Sequence, residues 1–248
     1  MSRVYAFTSD PAALNSYLVV GAERALVVDT GAGPRQAAGI LAAVRAVTEL
    51  PLTVVNTHDH WDHFFGNATF RAAGVEDFRA GVGFVRDQAG SAWYQYHSVP
   101  LEAEPDLPPD PGQLIVDVRP LGAGEAIELG GASVVARELA GHTDSDLVLI
   151  VDDVALVGDL VEEGAPPSVG EDATPGRWAQ ALRDVLALPG IAVFCPGHGQ
   201  PVDRAFVQEQ AANLAELAAD PAAEVRELAT APFAWAEETG TAGLRRLR

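Results

Sequence analysis

Lysine does not occur in the 248 residues: all 16 basic side chains are arginine, and 35 acids leave a formal charge of -19. Such a balance opposes polyphosphate and anionic bilayer surfaces, which argues against nucleic acid or membrane as partners and leaves a small molecule as the expected one. The one cysteine, Cys195, cannot close an internal disulfide, in keeping with a reducing compartment. In the run Ile191-Ala192-Val193-Phe194-Cys195 it reads as a buried thiol in preference to a redox group. No apolar run approaches the length that spans a bilayer, and Met1-Ser2-Arg3-Val4-Tyr5 has no signal-peptide pattern, so the expected location is the cytoplasm. Hydrophobic residues at 48% and charged residues at 21% exclude a disordered chain, and the length allows a single domain over residues 1–248.

Against that background one stretch stands out: Thr57-His58-Asp59-His60-Trp61-Asp62-His63. It follows Leu52-Thr53-Val54-Val55-Asn56, a β-branched run that reads as a buried strand. Packing does not explain such density, because several polar side chains crowded at a strand end cost several kcal/mol in desolvation unless something satisfies them. A metal ion does. In an extended loop His58 and His60 are two apart and share a face, so they can grip one ion, while Asp62 and His63 can reach a second. His142 in Ala140-Gly141-His142-Thr143 and His198 in Pro196-Gly197-His198-Gly199 sit in glycine-bracketed turns after apolar runs. Asp159 follows Val154-Ala155-Leu156-Val157 in the same manner.

The remaining chain reads as strands and helices around these points. Strands are expected at Val4–Phe7, Ser16–Gly21, Arg24–Asp29, Gln113–Val116, Glu125–Leu129, Ser133–Leu139, Asp146–Val151, Val154–Gly158 and Ile191–Cys195. Helices are expected from Pro34 to about Val47, Asn67 to Ala73, Gly81 to His97 and Pro175 to Leu188, the last capped by Thr174. Two further helices are expected at the C-terminal end, within about residues 203–230, and Arg245-Arg246-Leu247-Arg248 reads as a frayed basic tail. Residues 79–112, dense in proline after Trp93-Tyr94-Gln95-Tyr96-His97, read as an insertion lying over the fold. It also offers a surface for a homo-oligomer. Asp29 reads as a helix-capping or turn aspartate. The acids of Glu162-Glu163 read as exposed, with facing an amine on the substrate as the alternative.

The pattern H-x-H-x-D-H followed by a lone His, a lone Asp and a last His resembles the metallo-β-lactamase superfamily, from about Tyr5 to about Val207. The resemblance implies an α+β fold, a four-layered αββα sandwich with its metals at one edge. It implies that His58, His60 and His142 bind one metal and Asp62, His63 and His198 another, with Asp159 bridging. For Asp29 it implies, with weight equal to the turn reading, support behind the metal loop. Segments inserted near residues 79–112 often shape the pocket in that family, which makes Trp93, Tyr94 and Tyr96 candidate substrate contacts; Trp61, inside the ligand motif, reads as a hydrophobic wall beside the metals in preference to a contact to a particular substrate. The alternative for the aromatic cluster is that it anchors the insertion. His97 is not expected to be a ligand.

Imidazole and carboxylate ligands without thiolate suit two Zn ions, with Fe or Mn possible. The resemblance then implies a hydrolase of a small ester, thioester, lactone or related amide acting through a metal-bridging hydroxide, with Asp62 passing a proton. Departures from particular branches narrow it. True metallo-β-lactamases are exported and use cysteine or serine near the place of Asp159. Flavodiiron enzymes have glutamate at the place of His60, and RNA-processing branches bring basic surfaces. Glyoxalase II enzymes share all seven ligands but hold glutathione with C-terminal basic residues that have no obvious match here. Lactonases remain compatible. Two readings of other classes stand beside the hydrolase: a mononuclear iron oxidoreductase of the persulfide dioxygenase type, and a non-catalytic metal-binding protein.

Overall fold

In a computed structural model, residues 2–238 and 243–247 are described. The elements run β1 Arg3–Ser9, β2 Leu14–Val20, β3 Ala25–Val28, α1 Pro34–Val47, β4 Leu52–Asn56, α2 Trp61–Phe64, α3 Asn67–Ala72, β5 Asp77–Ala80 and α4 Val82–Gln95. Then come β6 Arg119–Pro120, β7 Ala126–Glu128, β8 Ser133–Leu139, β9 Asp146–Val151, β10 Val154–Glu162, α5 Pro175–Leu186, β11 Val193–His198, α6 Arg204–Ala219, β12 Glu237–Glu238 and β13 Leu244–Arg246.

Strands β3, β4, β5 and β6 pair in parallel, with β2, β1, β13 and β12 continuing antiparallel from β3. The other half runs β11-β10-β9-β8-β7, parallel only between β10 and β11. Among the described strands, the pairing between the halves is one residue pair, His198 opposite Leu14.

Alternation along the strands explains the layering. Leu26 and Val28 of β3 meet Leu149 and Leu156 of the other half in an inner core. Val27, between them in sequence, faces Ile40 of α1 and Phe70 of α3. Ala155 and Val157 of β10 face Trp178 and Leu182 of α5 and Leu214 of α6. Three apolar layers separate four structural ones, which is the αββα sandwich. In α1 the stripe Ala37, Ile40, Val44 is buried at helical spacing, and Pro34 starts the helix where its missing N–H costs nothing.

Several sequence expectations need correction. Gln113–Val116 is no strand: Pro111–Leu114 forms a 3₁₀ turn, and Leu114 and Val116 bury against the helical layer without pairing. Phe78–Ala80 belongs to a core strand, so the inserted segment begins after it. Only one of the two C-terminal helices forms, because residues 222–229 are irregular. Asn213 of α6 donates to the Glu224 carbonyl (2.9 Å) and accepts from the Arg226 N–H (2.9 Å), taking groups a helix would have used internally. The tail is a strand: Leu244–Arg246 pairs with β1 and Leu247 is buried, while Arg248 lies outside the described residues. Thr174 precedes α5 without a capping side-chain bond.

The proline-rich segment does more than cover the fold. Glu104, fully buried, accepts the Arg35 and Gln36 N–H groups at 2.7 Å each. These are donors that the first turn of α1 leaves unpaired, and a carboxylate there also meets the positive end of the helix dipole.

Candidate metal centre

The seven expected ligands come together where strand ends of both halves converge. β4 leads into the loop carrying His58 and His60, and the short α2 turns Asp62 and His63 back toward it. His142 comes from the turn after β8. Asp159 lies in β10 just past Gly158, where the register against β11 shifts. Gly158 has φ +51°, and a Cβ there would sit 2.9 Å from the Thr57 side chain. The bulge thus turns the aspartate inward at a position that only glycine fills freely. Gly197 has the second such role: a Cβ on it would lie 2.0 Å from Asp159 Oδ1.

Two groups of ligand atoms result. His58, His60, His142 and Asp159 form one, and Asp62, His63 and His198 the other, with all atoms of each group within 4.8 Å of one another. Asp159 Oδ2 links them: it lies 3.8 Å from His58 Nε2, 3.6 Å from His142 Nε2, and 3.3 Å from both His63 Nε2 and His198 Nε2.

The outward ring nitrogens show why the inward ones are lone pairs. His58 Nδ1 lies 3.0 Å from Thr57 Oγ1, whose hydroxyl donates to Asp29 Oδ2 at 2.8 Å. His63 Nδ1 donates to the same Asp29 oxygen at 2.9 Å, His60 Nε2 to Asp172 Oδ2 at 2.8 Å, and His198 Nδ1 to the Ala12 carbonyl at 3.0 Å. In the neutral rings that ligation requires, protons at those positions leave the opposite nitrogens facing the cluster as acceptors. His60 Nδ1 and His142 Nε2 lie 3.0 Å apart. His58 Nε2, His63 Nε2 and Asp159 Oδ1 are buried with no hydrogen-bond partner. Converging ring nitrogens and orphaned buried atoms fit divalent cations, which would satisfy them together.

Charge in the metal-free chain is balanced by protons. Burial, reinforced by His63 and His60, holds His58 well below the ordinary imidazole range, and burial pushes His142 down to about 3. For His198 burial acts the same way, but Asp159 and Asp62 outweigh it and raise the imidazole to about 10. His63 is raised against burial by Asp159 and Asp29.

Three supporting acids carried no sequence signal of their role. Asp172 orients His60. Asp146 accepts the His142 N–H (3.0 Å) and the Thr143 N–H and hydroxyl, fixing the turn that presents His142, and burial pushes it up to about 7. Glu162, expected to be exposed, is buried 3.6 Å from His142 Nδ1, accepts the Ser168 N–H, and is raised by burial and Asp159 to about 8. Asp29 proves to be a support, accepting the Thr57 N–H at 2.8 Å besides the bonds above.

Helix α4 grips the metal loop. Gln95 donates to the Asp59 carbonyl (3.0 Å) and accepts the Trp61 N–H (2.8 Å), and Ser91 Oγ donates to the Asp59 carboxylate. Of the candidate aromatic contacts, Tyr94 lines a cavity shared with His60. Trp93 is 62% exposed and lies outside that lining. Tyr96 donates to the Pro108 carbonyl at 2.6 Å, tying the segment together, and Trp61 packs half-buried against the helical core. His97 is exposed and outside both ligand groups. Among the described residues no helix is long and apolar enough to cross a membrane.

Comparison with known proteins agrees with this geometry. An acyl-coenzyme A thioesterase, MBLAC2, from Gallus gallus is 30% identical over 167 residues, covering 61% of this chain and 58% of that protein. A hydroxyacylglutathione hydrolase from Xanthomonas campestris pv. campestris (strain B100) is 26% identical over 181 residues, covering 73% and 58% respectively. The chain thus spans less than three fifths of the length of these relatives. The solved structure of a metallo-beta-lactamase from Pontibacter korlensis superposes with a TM-score of 0.67 at 20% identity, covering 87% of this chain and 96% of that one. The description of the metallo-beta-lactamase superfamily matches residues 10–198, well over half of the sequence. This chain belongs to the metallo-β-lactamase superfamily.

Proposed function

We propose that the protein is a dinuclear metal-dependent hydrolase of a small-molecule ester, thioester, lactone or related amide. The observation that carries the reading is the pair of ligand groups sharing Asp159, with buried nitrogens in both left for a cation to satisfy. His58, His60 and His142 would hold one ion, Asp62, His63 and His198 the other, and Asp159 both. Two Zn ions suit this donor set. When bound, such ions supply Lewis acidity toward a carbonyl oxygen and a water whose pKa falls toward neutrality.

The chain's own residues do the rest. Asp29, Thr57, Asp172 and the Ala12 carbonyl keep the imidazoles in the tautomers that binding requires. Asp62 is the candidate proton carrier. Its Oδ2 lies 3.3 Å from His198 Nε2, and it is buried within the ligand cluster, where a carboxylate can take a proton from an attacking water and return it to a leaving group. The closeness of the second group favours this reading over a mononuclear oxidoreductase, and the hydrolytic names of the relatives point the same way.

The test is a turnover screen of the metal-loaded chain across lactones, thioesters, phosphodiesters and a β-lactam, repeated after chelation and after zinc is restored. Ester, thioester or lactone cleavage lost on chelation and regained with zinc supports the reading. Oxygen uptake with no hydrolysis would overturn it.

A further inference from the structure

His198 reaches the ligand cluster from the half opposite to Asp62 and His63, and the strand pairing between the halves there is one residue pair, His198 with Leu14. Side chains of β2 supply the rest of the join. Asn15 Nδ2 donates to the Pro196 carbonyl at 3.2 Å and to the Gly199 carbonyl at 2.7 Å, and the Tyr17 hydroxyl donates to Pro196 at 2.7 Å. Both side chains are buried. Among the described residues Asn15 alone bonds the carbonyls on both sides of Gly197-His198, so it sets where the imidazole stands against Asp62, 3.3 Å away.

Two further residues fix which way the Asn15 amide faces. Thr8 stands opposite Asn15 where β1 and β2 pair, and its Oγ1 lies 2.6 Å from Asn15 Oδ1 and 2.7 Å from Arg245 Nη2. A guanidinium only donates, so Arg245 takes a lone pair of the hydroxyl and leaves the Thr8 proton for Asn15. The amide oxygen then accepts from Thr8, and the amide N–H groups meet two carbonyls, which only accept. The reversed amide would set oxygen against oxygen at the buried end. Arg245 belongs to β13, whose pairing with β1 at Ala6 brings its side chain to Thr8.

We infer that Asn15 is a positioning residue for the second metal group, and that Thr8 and Arg245 act through it. The inference rests on the two-metal reading above and names residues outside the ligand set on which it depends. Asn15 works through the main chain on either side of His198 and not through the imidazole. Without it the Gly199 carbonyl loses its donor and the Pro196 carbonyl keeps only Tyr17, so the turn is free to carry His198 away from Asp62. The first group has no such dependence. His58 and His60 follow β4 directly, and the turn presenting His142 is fixed by Asp146.

Chelator competition on the full chain reads the first and second zinc equivalents separately. In Asn15→Ala the second should bind about tenfold more weakly, with the first near its wild-type affinity. Thr8→Val changes an exposed side chain and should weaken the second equivalent in the same direction by less. Val19→Ala opens a gap in the buried face of the same strand, away from the turn, and controls for lost stability: it should lower the denaturation midpoint and leave the second equivalent unchanged. An unchanged second equivalent in Asn15→Ala, an equal fall in both equivalents, or a fall that Val19→Ala reproduces overturns the inference. If Asn15→Ala does not fold, Thr8→Val decides alone, a selective loss supporting the inference and unchanged binding overturning it. If the wild type takes up one ion only, the two-metal reading falls, and nuclear magnetic resonance of the His198 imidazole on adding zinc decides. Signals that move in the wild type and not in Asn15→Ala keep the positioning role, and any other pattern overturns it.

Discussion

Asp29 Oδ2 lies 2.9 Å from His63 Nδ1, with both side chains buried, and this one carboxylate fixes which nitrogen of His63 faces the ligand cluster. Its backbone sits at φ +61°, so the chain accepts a strained conformation to place the acid there. Asp29→Asn can offer an amide N–H to Nδ1 and favour the wrong tautomer. Affinity for the second metal equivalent should fall about 10–100-fold, read by chelator competition. Unchanged affinity would remove Asp29 from its supporting role.

Metal uptake should release protons. In the metal-free chain His63 and His198 have raised pKa values, so both are imidazolium near neutral pH, and a ligating imidazole must be neutral. His60 is raised as well, against burial, by its bond to Asp172, so calorimetry in buffers of different ionisation enthalpy should show about two to three protons released per chain at neutral pH, with affinity falling as pH falls. A buffer-independent heat would contradict this.

Glu104 ties the inserted segment to the start of α1. Glu104→Ala leaves the Arg35 and Gln36 N–H groups without their acceptor and should cost about 1–3 kcal/mol in chemical denaturation. A loss of a few tenths would mean that water replaces the carboxylate.

At the other end of the parallel strands, Asp77 lies between Arg79 at 3.0 Å, Arg119 and Arg24 at 3.7 Å. Burial favours its neutral form, but Arg79, Arg119 and Thr53 outweigh burial and hold it at about 2, below the ordinary 3.8. A depressed carboxylate stabilises the fold above its unfolded pKa, and that stabilisation is lost as pH falls through the folded value. The stability difference between the metal-free wild type and Asp77→Asn should therefore be full above about pH 4 and shrink toward pH 2. A difference that is flat across that window would contradict the assignment.

The ligands were legible in the sequence because histidines and aspartates gathered at strand ends are costly to bury without a cation, and their order matched a known pattern. The four layers followed from the family resemblance and not from the strands themselves, since β3 and β10 are apolar on both faces and show their alternation only in the packed structure. Asp172 and Glu162 were not legible, since each acts through a loop closure that brings distant segments together, and an acid in a loop otherwise reads as solvated. Gln113–Val116 misled because an apolar run can bury against helices without pairing. Residues 222–229 have helix-forming composition, yet two bonds to the Asn213 side chain hold part of their backbone in another shape. Leu247, in what reads as a frayed end, is buried, as is Leu244 just before it in β13.

The central claim is that Asp159 serves two metal ions in one hydrolytic site. Elemental analysis of the purified chain, beside the same measurement on Asp159→Ala, tests it most directly. About two zinc ions are expected per wild-type chain and fewer in the variant, with hydrolysis falling with them. Full hydrolytic activity in a wild-type chain stripped of metal would contradict it.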